Sequence, residues 1–170
     1  FIITVDRGML TNKNGSITAK SVRQNGLCNI GLGNNITATD GDISFEGTVQ
    51  LNSTIQMTVP SEKGSITFNG NVMGSGDLIV KSYSCNFMGA IGVEAPLSSL
   101  EVSCSGPITL HNVGNGHEGV CVSLKLSTPG SIYFRGQIYH GGPPSYSAGK
   151  NCDFLSGKPT AFTATQSITF

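Results

Sequence analysis

Tryptophan is absent from these 170 residues and charge is scarce: Asp, Glu, Lys and Arg together make up 12% of the chain, ten of each sign. A net charge of zero without a basic stripe excludes the phosphate-driven binding of nucleic acid, and equally a polybasic hold on a membrane surface. No apolar run approaches the about 20 residues that a membrane-spanning helix needs, so no membrane span is expected. No segment carries a helical stripe. Leu97–Cys104, the nearest candidate, lies between Pro96 and Gly106 and alternates instead. Five cysteines occur without a CxxC spacing, which leaves metal-knuckle and thioredoxin-like readings without support. A starting Met and a leader are also missing, so the chain reads as a mature or excised piece.

What is present is repetition. Gly-Asp-Ile-Ser-Phe-Glu-Gly-Thr-Val at 41–49 returns as Gly-Ser-Ile-Thr-Phe-Asn-Gly-Asn-Val at 64–72 and as Gly-Ser-Ile-Tyr-Phe-Arg-Gly-Gln-Ile at 130–138. Weaker copies begin at Gly15 and Gly106 and end the chain at 166–170. Two more replace the isoleucine by Cys85 and Cys152. The aromatic slots Ala19, Phe45, Phe68, Phe87, Leu110, Phe134, Phe154 and Phe170 are spaced by 26, 23, 19, 23, 24, 20 and 16 residues. A phrase that recurs about every 22 residues is the signature of a solenoid, with turns absorbing insertions while strands keep register.

Each phrase alternates. Ile66, Phe68, Gly70 and Val72 share one parity, and Ser65, Thr67, Asn69 and Asn71 the other, so one face is apolar and one polar. A second alternating run follows each phrase, as at 55–59, 78–81, 100–104 and 120–126, where Val120, Val122 and Leu124 are expected to point inward. A coil therefore reads strand, turn, strand, turn, with 23 glycines and many Asn residues filling the turns. Ser, Thr and Asn in place of ions suit such a stack, because like charges repeated at each coil step of about 4.8 Å would repel. The predicted fold is all-β: one single-stranded, right-handed parallel β-helix of about seven coils of about 22 residues, right-handed by the chirality of parallel crossovers. Residues 1–170 form one domain with half-coils at its ends. Its interior is expected to stack Ile43, Phe45, Ile66, Phe68, Cys85, Phe87, Ile108, Leu110, Ile132, Phe134, Cys152 and Phe154. By the same parity Cys28 and Cys104 point inward, and Cys121 outward as an exposed or bridging thiol.

The run GSITFNGNVMGSGDLIV at 64–80, and FMGAIG at 87–92 followed by APLSSLEV at 95–102, resemble the degenerate repeats of secreted bacterial β-helix proteins: filamentous-haemagglutinin-like and autotransporter passengers and related surface antigens. The resemblance is clearest over 41–113. It implies export to the cell surface or beyond, and a structural or adhesive role with a host surface receptor or glycan as partner.

Catalytic patterns are weak. Glu46 shares its slot with Asn69, Met88, His111, Arg135 and Leu155, so no acidic ladder forms there, and Asp40-Gly41-Asp42 reads as a turn. His111, His117 and Glu118 match no zinc spacing and read as a solvated loop. No enzyme activity and no cofactor are expected; a glycan-active or carbohydrate-binding β-helix is the alternative. Segment 139–150 departs longest from the coil pattern. It is expected as a loop insertion that either presents Tyr139, His140 and Tyr146 as contact residues or is a plain turn. The head, 1–6, reads like a second-half strand such as 77–82, and the tail stops inside the phrase. Together they would complete one coil, which makes Phe1, Ile3, Val5, Ile168 and Phe170 candidate contacts for head-to-tail self-association, or for further coils of a longer parent solenoid.

Overall fold

A computed structural model of the chain describes residues 2–6, 10–60, 62–154 and the strand Phe162–Ala164. Phe1, Ile168 and Phe170 lie outside the described residues. The described chain is all-β, without a helix, and winds into a β-solenoid of about seven turns with coils of about 21 residues. Every strand pairing is parallel and links one coil to the next.

Three sheets, rather than the two strands per coil read from the alternation, form the walls. The first stacks Ile2–Val5, Ser21–Gln24, Ile43–Phe45, Ser65–Phe68, Ser84–Phe87, Ile108–Leu110, Ile132–Phe134 and Cys152–Phe154. The second stacks Ile30–Leu32, Val49–Leu51 and Val72–Met73, and continues through single bridges at Ile91, Val113 and Ile138. The third runs from Ile17–Ala19 and Ile36–Ala38 through Ile55–Thr58, Asp77–Ser82, Leu97–Cys104 and Val120–Thr128 to Pro144–Ala148. The closing valine of each repeated phrase thus belongs to the second sheet, because the glycine before it turns a corner. A Cβ on Gly70 would stand on the carbonyl of Gly47, and one on Gly89 on the carbonyl of Gly70. The backbones of successive coils meet at this corner with no room for a side chain.

Register carries the core. Ile43, Ile66, Cys85, Ile108 and Ile132 pair in line, and beside them Phe45, Phe68, Phe87, Leu110 and Phe134. All ten are fully buried. Phe68 stacks on Phe87 with centroids 4.8 Å apart and meets Phe45, tilted by 34°, at 5.7 Å. At the far end of the described column Cys152 is half-buried and Phe154 is 41% exposed while stacking on Phe134 at 5.1 Å, so the last two members of the expected interior stand at its rim.

Four expectations are corrected. Ala19 does not share the aromatic slot: Ile17–Ala19 pairs with Ile36–Ala38 in the third sheet, and the residue under Phe45 is Gln24. Ile2–Val5 pairs with Ser21–Gln24 in the first sheet, not in the sheet of Asp77–Ser82, so the head is not a strand of the second alternating run. Cys28 is exposed, because it sits on a bend where strand parity does not apply. Val122 is 60% exposed, because the register shifts by one residue where Leu97–Ser99 faces Val120–Ser123.

Gln24 shows how the coils use amides. Its side chain is fully buried, donates to the Gly26 carbonyl and accepts the N–H of Gly47 at 3.0 Å and of Glu46 at 3.2 Å. Asn35 accepts from the Gln56 N–H at 2.8 Å, Asn71 from Ala90 at 2.9 Å and Asn112 from Gln137 at 3.0 Å. Corners leave backbone donors that no strand partner takes, and amide side chains one coil below satisfy them. Gln24→Leu is therefore expected to destabilise the fold by about 1–3 kcal/mol in urea unfolding despite its greater hydrophobicity, since it strands the buried N–H of Gly47, whereas that of Glu46 keeps the Gln24 backbone carbonyl at 3.0 Å. A variant as stable as the parent would contradict this role.

Candidate functional site

The strands of the third sheet lengthen from Ile36–Ala38 to Val120–Thr128, and its outer face becomes the broadest on the solenoid. Thr58, Lys81, Ser103, Ser127 and Ser147 pair across it in line. Gln56, Ile79, Glu101, Lys125 and Ser145 form the neighbouring rank. Hydroxyls and charges of both signs thus repeat at the strand spacing of about 4.8 Å.

Two clefts open along this face. One, of about 230 Å³, lies over Asp77, Ile79, Ser99, Glu101, Ser123 and Lys125. Asp77 accepts the hydroxyl of Thr54 at 2.9 Å. The other, of about 380 Å³, sits where the third sheet turns into the first and is lined by Glu62, Lys81, Tyr83, Ser103, Ser105 and Pro129, among others. Its shape follows from turn length. Residues 59–64 separate Ile55–Thr58 from Ser65–Phe68, whereas Tyr83 alone separates Asp77–Ser82 from Ser84–Phe87. The tight corner is recessed beneath its neighbours.

Tyr83 also breaks the repeat. It stands in register where the flanking coils have Gly64 and Gly106, its N–H donating to the Gly64 carbonyl at 3.0 Å and its carbonyl accepting from Gly106. The ring lies against Gly106, where a Cβ would meet it at 2.8 Å, and Tyr83 remains 39% exposed. Its signal was present in the sequence: the step from Phe68 to Phe87 is short, and a tyrosine opens a phrase whose flanking copies at 64 and 106 open on glycine.

The residues singled out from the sequence are dispersed. Segment 139–150 is not a protruding loop. Ile138–His140 is a strand, Pro144–Ala148 pairs with Val120–Thr128, and His140 and Tyr146 are buried, 1% and 4% exposed. Tyr139 is half-buried, with its hydroxyl 3.3 Å from Gln137. Ile3 and Val5 are half-buried in the first described strand, and Cys121 is an exposed thiol. His117 lies on an exposed turn beside Gly114 and Gly116, both at positive φ, while His111 is half-buried after Ile108–Leu110. Asp42 is committed to structure, accepting both the N–H and the hydroxyl of Ser65.

His140 donates from Nδ1 to the Gly142 carbonyl at 2.7 Å, and its Nε2 is buried without a hydrogen-bond partner among the described residues. Burial lowers its pKa below the ordinary histidine value, against smaller upward pulls from the Gly142 carbonyl and Glu118. The folded state thus prefers the neutral ring, and the unfolded chain binds the proton more readily. Stability is full above the unfolded value, about pH 6.5, and falls as the pH drops below it. The urea midpoint is expected to decrease from pH 7 to pH 5, and His140→Leu to flatten this part of the slope; an unchanged slope in that variant would contradict the assignment. The Cys85 thiol is pushed well up by burial and then by Cys104, and Cys104 is raised by its own burial, so both are held protonated inside the core.

No helix among the described residues is long and apolar enough to cross a membrane. Against protein-family models, curated proteins and solved structures, the chain finds no match in any of the three comparisons.

Proposed function

We propose that this solenoid is a non-enzymatic structural or adhesive module that works at the cell surface or outside the cell. The observation that carries this reading is the division of its chemistry. Among the described residues the ionisable groups held away from their ordinary titration, Cys85, Cys104, Cys152, His140 and Tyr146, lie in the core or against it, although Cys104, 6% exposed, also reaches the floor of the cleft at Tyr83. The outer faces carry hydroxyls, amides and a sparse balance of charge. A general acid or base needs a shifted pKa in a cleft, whereas a contact surface needs rigid, repeated polar groups. The resemblance to exported β-helix repeats points the same way.

Cohesion comes from the strand edges. The outer edge of Ile2–Val5 ends the first sheet among the described strands, with Ile2 63% exposed and Ile3 half-buried against the core. A further coil, from a longer parent chain or from a second copy in head-to-tail contact, would extend both the hydrogen bonds and the apolar stack there. Antibody against the purified chain tests location. Labelling of intact cells that is lost after external protease is the expected result, and labelling only after permeabilisation would overturn the reading. Electron microscopy of the purified chain tests self-pairing, for which filaments are expected and discrete particles at high concentration count against it.

A further inference from the structure

The geometry points to a carbohydrate-binding subsite in the cleft at Tyr83, taking a neutral sugar ring that packs against the tyrosine and hydrogen-bonds to the hydroxyls and charged groups around it. The proposal deepens the adhesive reading by naming a ligand class, and it rests on that reading for its biological purpose.

Three independent observations converge on the cleft. The first is the misfit of Tyr83 with its column. At this corner Gly41, Gly64, Gly106 and Gly130 flank Tyr83, with Gly130 closing against Gly106, while Lys20 and Lys150 stand at the ends of the same column. The tyrosine at this place packs its ring over Gly106 from outside and keeps 39% of its surface exposed. An aromatic ring fixed in place and left open to solvent is a ready platform for the C–H face of a sugar.

The second observation is the shape of the notch. The one-residue corner at Tyr83 is recessed between the longer turn that carries Glu62 and the corners at Ser105 and Pro129. It is a shallow notch of about 380 Å³ that is largely open to solvent, so it would seat one face of a ring rather than enclose it.

The third is the chemistry of the lining. Lys81 and Ser103 face outward from paired strands, and Ser105 is exposed at the corner above. Glu62 supplies one carboxylate and Lys81 one ammonium, so the cleft has no net charge and selects neither anions nor cations. Val59, Pro60 and Pro129 add apolar surface beside the hydroxyls of Thr58, Ser103 and Ser105, so the lining is mixed. Donors and acceptors spaced around one aromatic ring match a polyol with an apolar face. A separate cleft over Asp77, Glu101 and Lys125 lies on the same outer face.

The test is binding of the purified chain to an array of neutral, amino and uronic-acid oligosaccharides, followed by calorimetric titration of any sugar retained. Tyr83→Gly restores the glycine of the corner column and is expected to fold with an unchanged circular dichroism spectrum. Its affinity is expected to fall by about tenfold or more, about 1.4 kcal/mol. Tyr83→Phe keeps the ring and is expected to bind within about threefold of the parent. Retention of no sugar at millimolar concentration, retention of charged sugars alone, or equal binding by Tyr83→Gly would each overturn the proposal. Sugar binding by a chain that antibodies find only inside the cell would leave this subsite standing while the surface reading fails; surface labelling without sugar binding would do the reverse.

Discussion

Replacing Phe68 by alanine is expected to remove about 3–5 kcal/mol of folding stability, a large part of the about 5–15 kcal/mol typical of a domain. Phe68 is fully buried in mid-column, parallel to Phe87 within 7° and in contact with Phe45. The strand that holds it is bonded to a coil on either side, Ile43–Phe45 below and Ser84–Phe87 above. Neither neighbour can slide in to fill the space without breaking its own register, so the cavity stays open. In a stack whose stability is a sum of coils and coil interfaces, the loss also weakens the coupling between the two halves, and the urea transition should broaden. The control is Phe154→Ala at the exposed end of the described column, expected to lose less than half as much. A loss below about 1 kcal/mol at Phe68 would contradict the continuous core.

Gly70→Ala is expected to be comparably damaging, about 3 kcal/mol or more, although it adds a single methyl group. The φ of Gly70 is not in the left-handed region, so the penalty is not one of backbone strain. It comes from the Gly47 carbonyl, which occupies the space that the methyl group needs, and Gly89 sits on Gly70 in the same way. A shift of one corner must therefore propagate to the next. Gly31→Ala provides the comparison. Gly31 lies mid-strand with nothing within 4 Å of an added Cβ, and that variant is expected to stay within about 0.5 kcal/mol of the parent. Thermal melts of the two variants should separate clearly, and equal melting temperatures would remove the glycine column from the account.

The first sheet from Ile43 to Phe134 was legible residue by residue, because a phrase of Gly-x-Ile-x-Phe-x-Gly carries both an alternation and a corner. Ile43, Phe45, Ile66, Phe68, Cys85, Phe87, Ile108, Leu110, Ile132 and Phe134 lie where their parity puts them. Which sheet a strand joins was less legible. All three sheets use inward isoleucine or valine, so Gly15-Ser16-Ile17-Thr18 imitates the phrase while sitting in the third sheet. The true slot below Phe45 was hidden because Gln24 is polar; it is buried only because the next corner offers it N–H groups to accept. Segment 139–150 was misread for a related reason. Gly141, Gly142, Pro143 and Pro144 look like strand breakers, yet Pro144 opens a strand, a position where no N–H is required, and Tyr146 then reaches the core against Phe134 at 5.2 Å. Corners and bulges follow no period, which is why Cys28 and Val122 face solvent. The candidate cleft was illegible as a cleft, since it arises from the difference in length between neighbouring turns.

The central claim is that successive coils lie directly over one another in one register, and electron-spin distance measurements on the outward rank Arg23, Ser44, Thr67, Asn86, Thr109 and Tyr133 test it most directly. Cys28, Cys121 and Cys152 would first be replaced by serine, and pairs of spin labels introduced from Arg23 onward. The distance is expected to grow by about 4.8 Å for each coil added, reaching about 24 Å between Arg23 and Tyr133. Distances that fail to rise in equal steps, or that place Arg23 and Tyr133 as close together as neighbouring coils, would contradict the stacked solenoid and the surface built on it.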